Sequence, residues 1–372
     1  MHKIVNALEK AIREGQYPAQ GRLPSERELT KRFRVPVRTA RAAVDVLAER
    51  GLVYRIERGG TFVKTFAPQN RAAAAQSRLK SISFVEPVRS QTDPFAFALA
   101  NYLHGYTRVL QNRSLRVQFI SLAADGADFE NIMNPALPVE GQGCIIGDIV
   151  SRELIEWLLA RNIPFVIRRF AFYDDRLLPK HHGVYLNRNG ASFNAVKYLM
   201  GLGHCSIGFI GQLPDDQDRS ALSLEWCYCY DGYRSAFSVA GRQVNPDHQA
   251  RVAGSSIEEA CLAATAILGR PGRPTAVVCQ NDLTAFGVMK AARNLGMKLP
   301  DDLSVVGFDN DPAGAESDPP LTSFCGHEEL AVAAIEKLLA VADRKCRHYE
   351  VNPVECPMVV RNSTARPPGK NA

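Results

Sequence analysis

Two arginines near position 40 carry the first chemistry that the sequence suggests. Arg38 and Arg41 are three residues apart, so on a helix they share one face near its start. A guanidinium group can donate two parallel hydrogen bonds to O6 and N7 of guanine, and Thr39 adds a hydroxyl beside them. The alternative is a pair of solvated surface arginines, with Asp45 pairing with Arg41 four residues further along. We favour contacts with base edges because of the elements around these residues, described below.

Other residues in the first 65 positions are also suited to a nucleic acid. Arg27 is placed near the start of the preceding predicted helix, where it can contact a phosphate or a base. Gly60 and Thr61 follow Gly59 at the tip of a predicted hairpin. Because glycine removes the side-chain obstruction, this tip can approach the minor groove or the backbone of DNA.

A second set of polar residues stands directly after apolar, strand-like segments. Asn281 follows Ala276–Cys279, and Asp309 follows Ser304–Gly307. Ligands of two-lobed α/β proteins bind where the carboxyl ends of strands meet, and amides and carboxylates pair with hydroxyl groups. Both residues are therefore candidates to bind a small molecule. The alternatives are a turn-capping carboxylate for Asp309 and a helix cap for Asn281.

Arg168 and Arg169 follow a third such segment, Phe165–Ile167. Two guanidinium groups at a strand end can clamp an anion, which would admit a sugar acid or a phosphorylated sugar. The alternative is that one of them only pairs with Asp174 or Asp175 nearby.

The remaining reactive side chains form no catalytic or metal-binding pattern. The nine cysteines are scattered and odd in number, and the Cys227–Cys229 C-x-C pair lacks a second pair at zinc spacing. We interpret the cysteines as buried thiols. The sequence has no Gly-rich phosphate loop, no G-x-S-x-G and no His/Glu spacing for a hydrolytic metal. We therefore expect neither an enzyme nor a bound metal or cofactor.

Charge is distributed unevenly along the 372 residues. Residues 1–80 contain 17 Lys/Arg against 7 Asp/Glu, a net charge of +10, whereas the whole chain carries +6. A basic front segment indicates that only this part meets a polyanion. The length favours two or three folding units. No apolar run is long enough to span a membrane, and the N-terminus lacks the apolar core of a signal peptide, so we expect a cytoplasmic protein.

The elements that must position the front arginines are three helices and a hairpin. A first helix is predicted by the apolar face of Ile4, Leu8, Ala11 and Ile12, which Gly15 follows as a stop. Ser25 and Glu28 form a capping box at the start of a second helix, which ends near Phe33. Pro36 suits the first turn of a third, with Val37, Ala40, Val44 and Leu47 facing the core. Strands at residues 52–55 and 61–63 complete a winged helix-turn-helix.

From Ser81 onward, strands alternate with helices, which predicts parallel sheets covered by helices. The number of strands over about 285 residues fits two α/β lobes better than one sheet. The strand candidates are Ile82–Val85, Val117–Ser121, Cys144–Ile146, Phe165–Ile167, Ile207–Ile210, Ala276–Cys279 and Ser304–Gly307. The helix candidates are Ser151–Arg161, Ala191–Leu202, Glu258–Leu268 and Leu283–Leu295.

The front segment resembles a known family. Leu23-Pro24-Ser25-Glu26-Arg27-Glu28-Leu29, Leu52-Val53 and Gly60-Thr61-Phe62-Val63 look like the DNA-binding domain of GntR-type regulators over residues 3–64. One departure lies at the third helix, where the family usually shows Ser-Arg-Thr-Thr and this chain has Pro36-Val37-Arg38-Thr39. The resemblance implies DNA binding, but the operator sequence does not carry over.

The rest of the chain, residues 82–365, resembles the effector domain of LacI-type repressors, which shares the fold of periplasmic sugar-binding proteins. The motifs that carry this likeness are Gly201-Leu202-Gly203-His204, Asp231-Gly232-Tyr233, Asn281-Asp282-Leu283, Pro300-Asp301-Asp302 to Asp309, and Pro319-Pro320-Leu321-Thr322. The combination of the two parts resembles the arabinose-repressor group.

The resemblance adds further candidates for the crevice. Phe95 matches an aromatic loop of the family, with a core aromatic as the alternative reading, and Tyr185 falls where a crevice aromatic is common. Asn281 and Asp309 match positions that contact effector. The chain departs from the family at Arg168 and Arg169, which follow the strand where many relatives have an aspartate, and at Cys229, where an arginine is frequent.

These observations predict a regulator with three parts. A winged helix-turn-helix covers residues 1–66, a linker 67–80, and an effector domain 81–366. We assign residues 81–199 and 326–345 to its first lobe, and residues 200–325 and 350–366 to its second. We expect a homodimeric repressor that binds palindromic operator DNA under the control of a sugar-like effector, with no membrane. The alternative is a solute-binding protein without a role in transcription.

Overall fold

The computed structural model describes residues 2–13, 16–17, 23–49, 52–56, 60–63, 79–87, 103, 105–107, 109–111, 113, 115–122, 141–147, 152–169, 180–214, 221–252, 256–346 and 348–368. The chain divides into two compact units, Met1–Gln76 and Ser77–Ala372. The predicted linker, including the alanine-rich residues 71–75, lies outside the described residues, apart from Leu79 and Lys80.

The first unit contains three helices around a small apolar core. Helix α1 spans His2–Arg13, α2 spans Glu26–Phe33 and α3 spans Val37–Glu49. The predicted capping box is present, since the Ser25 amide donates to Glu28 Oε2 at 2.7 Å and the Glu28 amide donates to Ser25 Oγ at 3.3 Å. These bonds satisfy amide groups that a helix start leaves open.

The core of this unit follows the predicted apolar faces with one exception. All four apolar residues predicted on the face of α1 are buried, as are Ala40, Val44 and Leu47 of α3. Val37 was predicted in the core but is 45% exposed, so that prediction is wrong. It is the first residue of α3 and lies beyond the buried stripe, which begins at Ala40 and includes Ala43.

The wing is a two-stranded antiparallel sheet. Strand β1 covers Val53–Ile56 and β2 covers Gly60–Val63, with Val53 opposite Val63 and Ile56 opposite Gly60. The Leu23 amide donates to the Thr61 carbonyl at 2.7 Å, which ties the wing to the segment before α2. The turn between the strands lies outside the described residues.

The second unit begins with a parallel sheet of six strands in the order β4-β3-β5-β6-β7-β13. Helices α4, Arg152–Ala160, and α10, His327–Ala342, belong to this first lobe. The strands are β3 Ser81–Pro87, β4 Arg116–Leu122, β5 Gln142–Gly147, β6 Phe165–Arg169, β7 Gly183–Leu186 and β13 Val351–Val354.

The second lobe has a parallel sheet of four strands, in the order β9-β8-β10-β11. These strands are β8 Ile207–Gly211, β9 Gln249–Arg251, β10 Ala276–Cys279 and β11 Ser304–Val306. Its helices are α5 Arg188–Leu202, α6 Ala221–Val239, α7 Ile257–Leu268, α8 Asp282–Asn294 and α9 Pro312–Glu316. Strands β12, Ser323–Phe324, and β14, Met358–Val359, pair antiparallel beside it.

The chain passes between the lobes at three places, and these differ from the predicted boundaries. Helix α5 packs against α6 and β10 of the second lobe, so the first passage lies near Asn187 rather than near residue 199. Strand β13 pairs in parallel with β7 at the edge of the first sheet, although residues 350–366 were assigned to the second lobe. Backbone pairing along β7 keeps β13 in the first lobe, and the chain crosses only afterwards, near Cys356.

Candidate functional site

The start of α3 presents polar side chains to solvent. Arg38 is exposed and Thr39 is partly buried, while the Thr39 amide donates to the Pro36 carbonyl at 2.9 Å. Arg27 is exposed on α2. Exposed guanidinium groups at a helix start are able to reach a phosphate or a base edge.

Arg41 has a different ion-pair partner from the one that the sequence suggested. Its Nε lies 3.0 Å from Glu26 Oε2, and the two side chains are 63% and 26% exposed. The sequence offered Asp45 as the alternative partner. An exposed pair of this kind contributes only about 0–1 kcal/mol, so Glu26 orients Arg41 without preventing it from binding elsewhere.

In the second unit, the other predicted residues that the structure describes lie at the carboxyl ends of strands. Arg169 and Tyr185 are paired residues on the neighbouring strands β6 and β7. Arg169 is buried and Tyr185 is half-buried, and burial raises the pKa of the Tyr185 phenol. Phe95, predicted in the same crevice, lies outside the described residues.

Arg168 forms a buried ion pair that the sequence did not suggest. Its Nη2 lies 2.7 Å from Glu86 Oε2, and the Arg168 side chain is fully buried. Strand register explains the contact, because Gly147 lies in the same row between them and has no side chain. A β-carbon at residue 147 would collide with both partners. The suggested acidic partners Asp174 and Asp175 lie outside the described residues.

Asn281 and Asp309 come together at the ends of β10 and β11. The Asn281 side chain accepts a hydrogen bond from the Thr284 amide at 2.9 Å, so it caps α8, as its alternative reading predicted. The amide of the next residue, Asp282, donates to the Phe308 carbonyl at 2.7 Å. Asp309 is 3% exposed and has φ of +106°, a conformation that residues with a side chain rarely adopt.

Asp309 is the centre of a buried polar cluster. Its Oδ1 lies 3.3 Å from Arg188 Nη1 and 3.4 Å from His327 Nε2. Arg188 begins α5 and His327 begins α10, so the carboxylate touches elements of both lobes near the passages between them. Burial works to lower the pKa of Arg188, but Cys229 and Asp309 outweigh it and raise that pKa, so the guanidinium stays charged.

A second buried carboxylate lies beside this cluster. Asp282 accepts hydrogen bonds from Ser323 Oγ at 2.6 Å and from the Asp311 amide at 2.7 Å. Burial, followed by the charge of Asp309, raises the pKa of Asp282 well above its ordinary range. Its bonds within the second lobe give it a structural role in holding the loop after β11.

Sequence reasoning missed Arg188 and Glu86. Arg188 fell outside the predicted helix, which was expected to begin at Ala191, and no pattern linked it to Asp309. Glu86 lies at the end of a predicted strand, and only the register of β3, β5 and β6 brings it to Arg168. The sequence did contain one relevant signal, an acidic residue, Glu86, at one strand end and a basic residue, Arg168, at another.

The described residues were also compared with the requirements of a membrane span and of a metal site. Every helix in these parts of the chain is too short or too polar to span a lipid bilayer. The same residues contain no group of three or more His, Cys, Asp or Glu side chains that could hold a metal ion.

Family models match both ends of the chain. The model of bacterial regulatory proteins of the gntR family matches residues 1–63, and the model of a periplasmic binding protein-like domain matches residues 196–364. The first segment coincides with the winged helix, and the second covers most of the second lobe together with α10 and β13 of the first lobe.

Curated relatives of the chain are transcriptional repressors. It is 31% identical over 206 residues to the HTH-type transcriptional repressor CytR of Escherichia coli (strain K12), which covers 55% of this chain and 57% of CytR. The chain thus spans little more than half the length of that relative. It is 25% identical over 376 residues to the arabinose metabolism transcriptional repressor of Halalkalibacterium halodurans, covering 97% and 96% of the two chains.

Solved structures share the fold. A regulatory protein of the LacI family from Chloroflexus aggregans superposes with a TM-score of 0.63 at 22% identity, over 76% of this chain and 98% of that one. The transcriptional regulator CelR in complex with cellobiose gives a TM-score of 0.60 at 20% identity, over 88% and 91%. The chain therefore joins a gntR-type helix-turn-helix region to a two-lobed α/β domain with the fold of periplasmic binding proteins.

Proposed function

We propose that the protein is a transcriptional repressor whose affinity for operator DNA is controlled by a sugar-like effector bound between two lobes. One observation carries this proposal: a winged helix with exposed arginines at the start of α3 belongs to the same chain as a two-lobed α/β domain. The likeness to an arabinose metabolism repressor extends over 97% of the chain and includes both parts. On this proposal the protein consists of a GntR-type DNA-binding domain fused to a LacI-type effector domain, as in the arabinose-repressor group. It acts in the cytoplasm and is not an enzyme.

The start of α3 enters the major groove in this proposal. Arg38 and Arg41 donate to guanine, and Thr39 contacts a base or a phosphate beside them. The exposed Val37 adds a contact that the sequence analysis did not foresee, because an apolar side chain next to Arg38 can pack against a thymine methyl group. Arg27 contacts the DNA backbone, and the wing residues Gly60 and Thr61 approach the minor groove.

The effector lies at the carboxyl ends of the strands, where Arg169, Tyr185, Asn281 and Asp309 are candidates to contact it, together with Phe95. Names of relatives support a carbohydrate, since one regulates arabinose metabolism and one structure contains cellobiose. The pairing of Arg168 with Glu86 argues against an anion clamp at that arginine, because its charge is already matched. A carboxylate or phosphate group of the effector is therefore disfavoured at Arg168 itself.

A homodimer is expected because operators read by such domains are palindromic. The first lobe offers a surface for it. Phe119 and Val117 lie on the edge strand β4 and are 54% and 42% exposed. Exposed apolar side chains on an edge strand invite burial against a second copy.

The test begins with selection of operator DNA from genomic fragments by the full-length protein. Binding is then measured at several salt concentrations for the wild type, Arg38→Ala and Arg41→Ala. We expect both variants to lose sequence-specific binding, with a cost of about 1–3 kcal/mol per guanine contact. Arg234→Ala in α6 of the second unit is the matched control and should bind as the wild type does. Failure of the wild type to bind DNA in a salt-dependent way would leave the alternative, a solute-binding protein.

A further inference from the structure

Arg188 is a deeply buried charged group at the passage between the lobes. Its side chain is 2% exposed, and each of its nitrogens has a neighbour in the second lobe. Nη2 donates to the Gln280 carbonyl at 2.7 Å, Nη1 lies 3.3 Å from Asp309 Oδ1, and Nε lies 3.5 Å from Cys229 Sγ. The guanidinium carbon lies 3.9 Å from the centroid of the Phe308 ring.

The position of these partners points to a ligand. Gln280 follows β10 and Asp309 lies in the loop after β11, so Arg188 reaches the edge of the sheet where open α/β folds bind small molecules. Removing a guanidinium group from water is costly unless its donors are paired, and the Gln280 carbonyl and the Asp309 carboxylate supply that pairing. Stacking on an aromatic ring also fixes the plane of the guanidinium group.

Backbone strain supports the same conclusion. Asp309 and Asn310 have φ of +106° and +55°, so two consecutive residues with side chains occupy the left-handed region. The Asp309 amide donates to the Phe324 carbonyl at 2.7 Å, and Arg361 Nη2 donates to Asn310 Oδ1 at 2.6 Å. These bonds hold the loop in a strained form that aims the Asp309 carboxylate at Arg188, and such strain concentrates at ligand sites.

Two arginine–carboxylate pairs that are buried among the described residues of this unit differ in the distance between their partners. Arg168 and Glu86 approach to 2.7 Å, the length of a strong charge-assisted hydrogen bond, whereas Arg188 and Asp309 are 3.3 Å apart. The longer Arg188–Asp309 bond is the weaker of the two, so less free energy is lost when these side chains exchange it for bonds to a ligand. A donor and an acceptor side by side match a hydroxyl group, which both donates and accepts.

We propose that Arg188 is a specificity-determining residue that binds hydroxyl groups of an uncharged, polyhydroxylated effector together with Asp309. This inference rests on the proposed function, because it requires the strand ends to be the effector site. The Asp309 carboxylate beside the guanidinium group disfavours ligands with a carboxylate or phosphate at this point. Arg188 then binds hydroxyl groups of the effector, whereas Arg168 has only a structural role.

The experiment measures binding to the full-length protein by calorimetry. The neutral probes are L-arabinose, D-ribose, D-glucose and cellobiose, and the anionic probes are D-glucuronate and D-ribose 5-phosphate. The variants are Arg188→Gln and Arg188→Lys, the second of which keeps the charge and so protects the fold. Arg273→Gln is the matched control, since Arg273 donates to the Asp302 carbonyl at the opposite end of β10.

We expect the wild type to bind a neutral probe and both Arg188 variants to bind it roughly 10- to 100-fold more weakly, as for a lost charge-assisted hydrogen bond. Arg273→Gln should retain wild-type affinity. In Arg188→Gln, the added substitution Cys229→Arg should recover part of the loss, because residue 229 can direct a guanidinium group to the same place.

Three results would overturn the inference. Equal affinity in the wild type and Arg188→Lys would remove Arg188 from the site while leaving the proposed function intact. Tighter binding of the anionic probes would refute the selectivity for hydroxyl groups. Binding of no probe by the wild type would defeat the carbohydrate effector itself. Operator binding without any sugar is measured in parallel and should be unchanged in every variant, so failure of DNA binding is recognised separately.

Discussion

At the scale of single residues, the absence of a side chain at Gly147 allows a buried ion pair to form. It lies between Glu86 and Arg168 in a row across three strands, and the ion pair passes over it only because it has no side chain. The close approach, rather than backbone freedom, is what requires glycine at this position.

We therefore predict that Gly147→Ala destabilises the protein by about 1–3 kcal/mol, as expected when a close-packed site is overfilled and its side chains must shift. The added methyl group would collide with both Arg168 and Glu86. Urea unfolding of the full-length protein measures the change. Gly201→Ala is the control, because a β-carbon there meets nothing within 4 Å, and it should change stability by no more than about 1 kcal/mol. Equal stability of Gly147→Ala and the wild type would contradict this prediction and show that the two side chains shift at no cost.

At the scale of elements, a buried imidazole helps to hold the C-terminal segment to the second lobe, beside Ser304, which bonds both the amide and the carbonyl of Ala365. His204 Nε2 lies 2.9 Å from the Ala365 carbonyl, and Nδ1 lies 2.8 Å from Thr275 Oγ1. The carbonyl can only accept, so Nε2 carries the proton of this hydrogen bond. Burial lowers the pKa of His204 below its ordinary value of 6.5.

This lowered pKa predicts a loss of stability in mild acid. Below pH 6.5 the imidazole of the unfolded chain binds a proton while that of the folded protein does not, so stability is complete above pH 6.5 and falls as the pH approaches the lower folded pKa. The slope reaches at most about 1.4 kcal/mol per pH unit for one group. Urea unfolding of the wild type and His204→Asn at about pH 7.5 and 5.5 isolates this contribution. Identical pH dependence in both proteins would contradict it.

The elements themselves could largely be predicted from the sequence. All seven predicted strands of the second unit are present, because short apolar runs bounded by turn residues are a local signal. The capping box at Ser25 was equally local. Pairings across long sequence separations could not be predicted. Val351–Val354 joins the first lobe through register with Gly183–Leu186, and Arg188 meets Asp309 across 121 positions. Such contacts depend on the assembled sheets, not on spacing along the chain.

At the scale of the whole molecule, an exposed apolar edge predicts self-association. Phe119 is 54% exposed on the edge strand of the first lobe and stacks on Phe84, with ring centroids 5.2 Å apart. A charge at this position would have to be buried in a dimer interface, which is costly without a partner.

Phe119→Glu should therefore shift the protein from dimer to monomer at micromolar concentration. Analytical ultracentrifugation measures the change in mass. Leu262→Glu is the matched control, because Leu262 is 75% exposed on α7 of the second lobe and should leave the dimer intact. A Phe119→Glu protein that remains dimeric would place the interface elsewhere on the molecule.

The proposed function requires coupling between effector binding and DNA binding. Coupling in equilibrium binding is reciprocal, so an effector that weakens operator binding must itself bind more weakly to the protein–operator complex, and by the same factor. A factor of about 5–150 is typical of such systems.

The most direct test titrates the tightest-binding sugar into the protein with and without saturating operator DNA, and titrates operator with and without saturating sugar. We predict equal and opposite changes in the two dissociation constants. An affinity for the sugar that is the same with and without operator would contradict the claim that the two-lobed domain controls DNA binding.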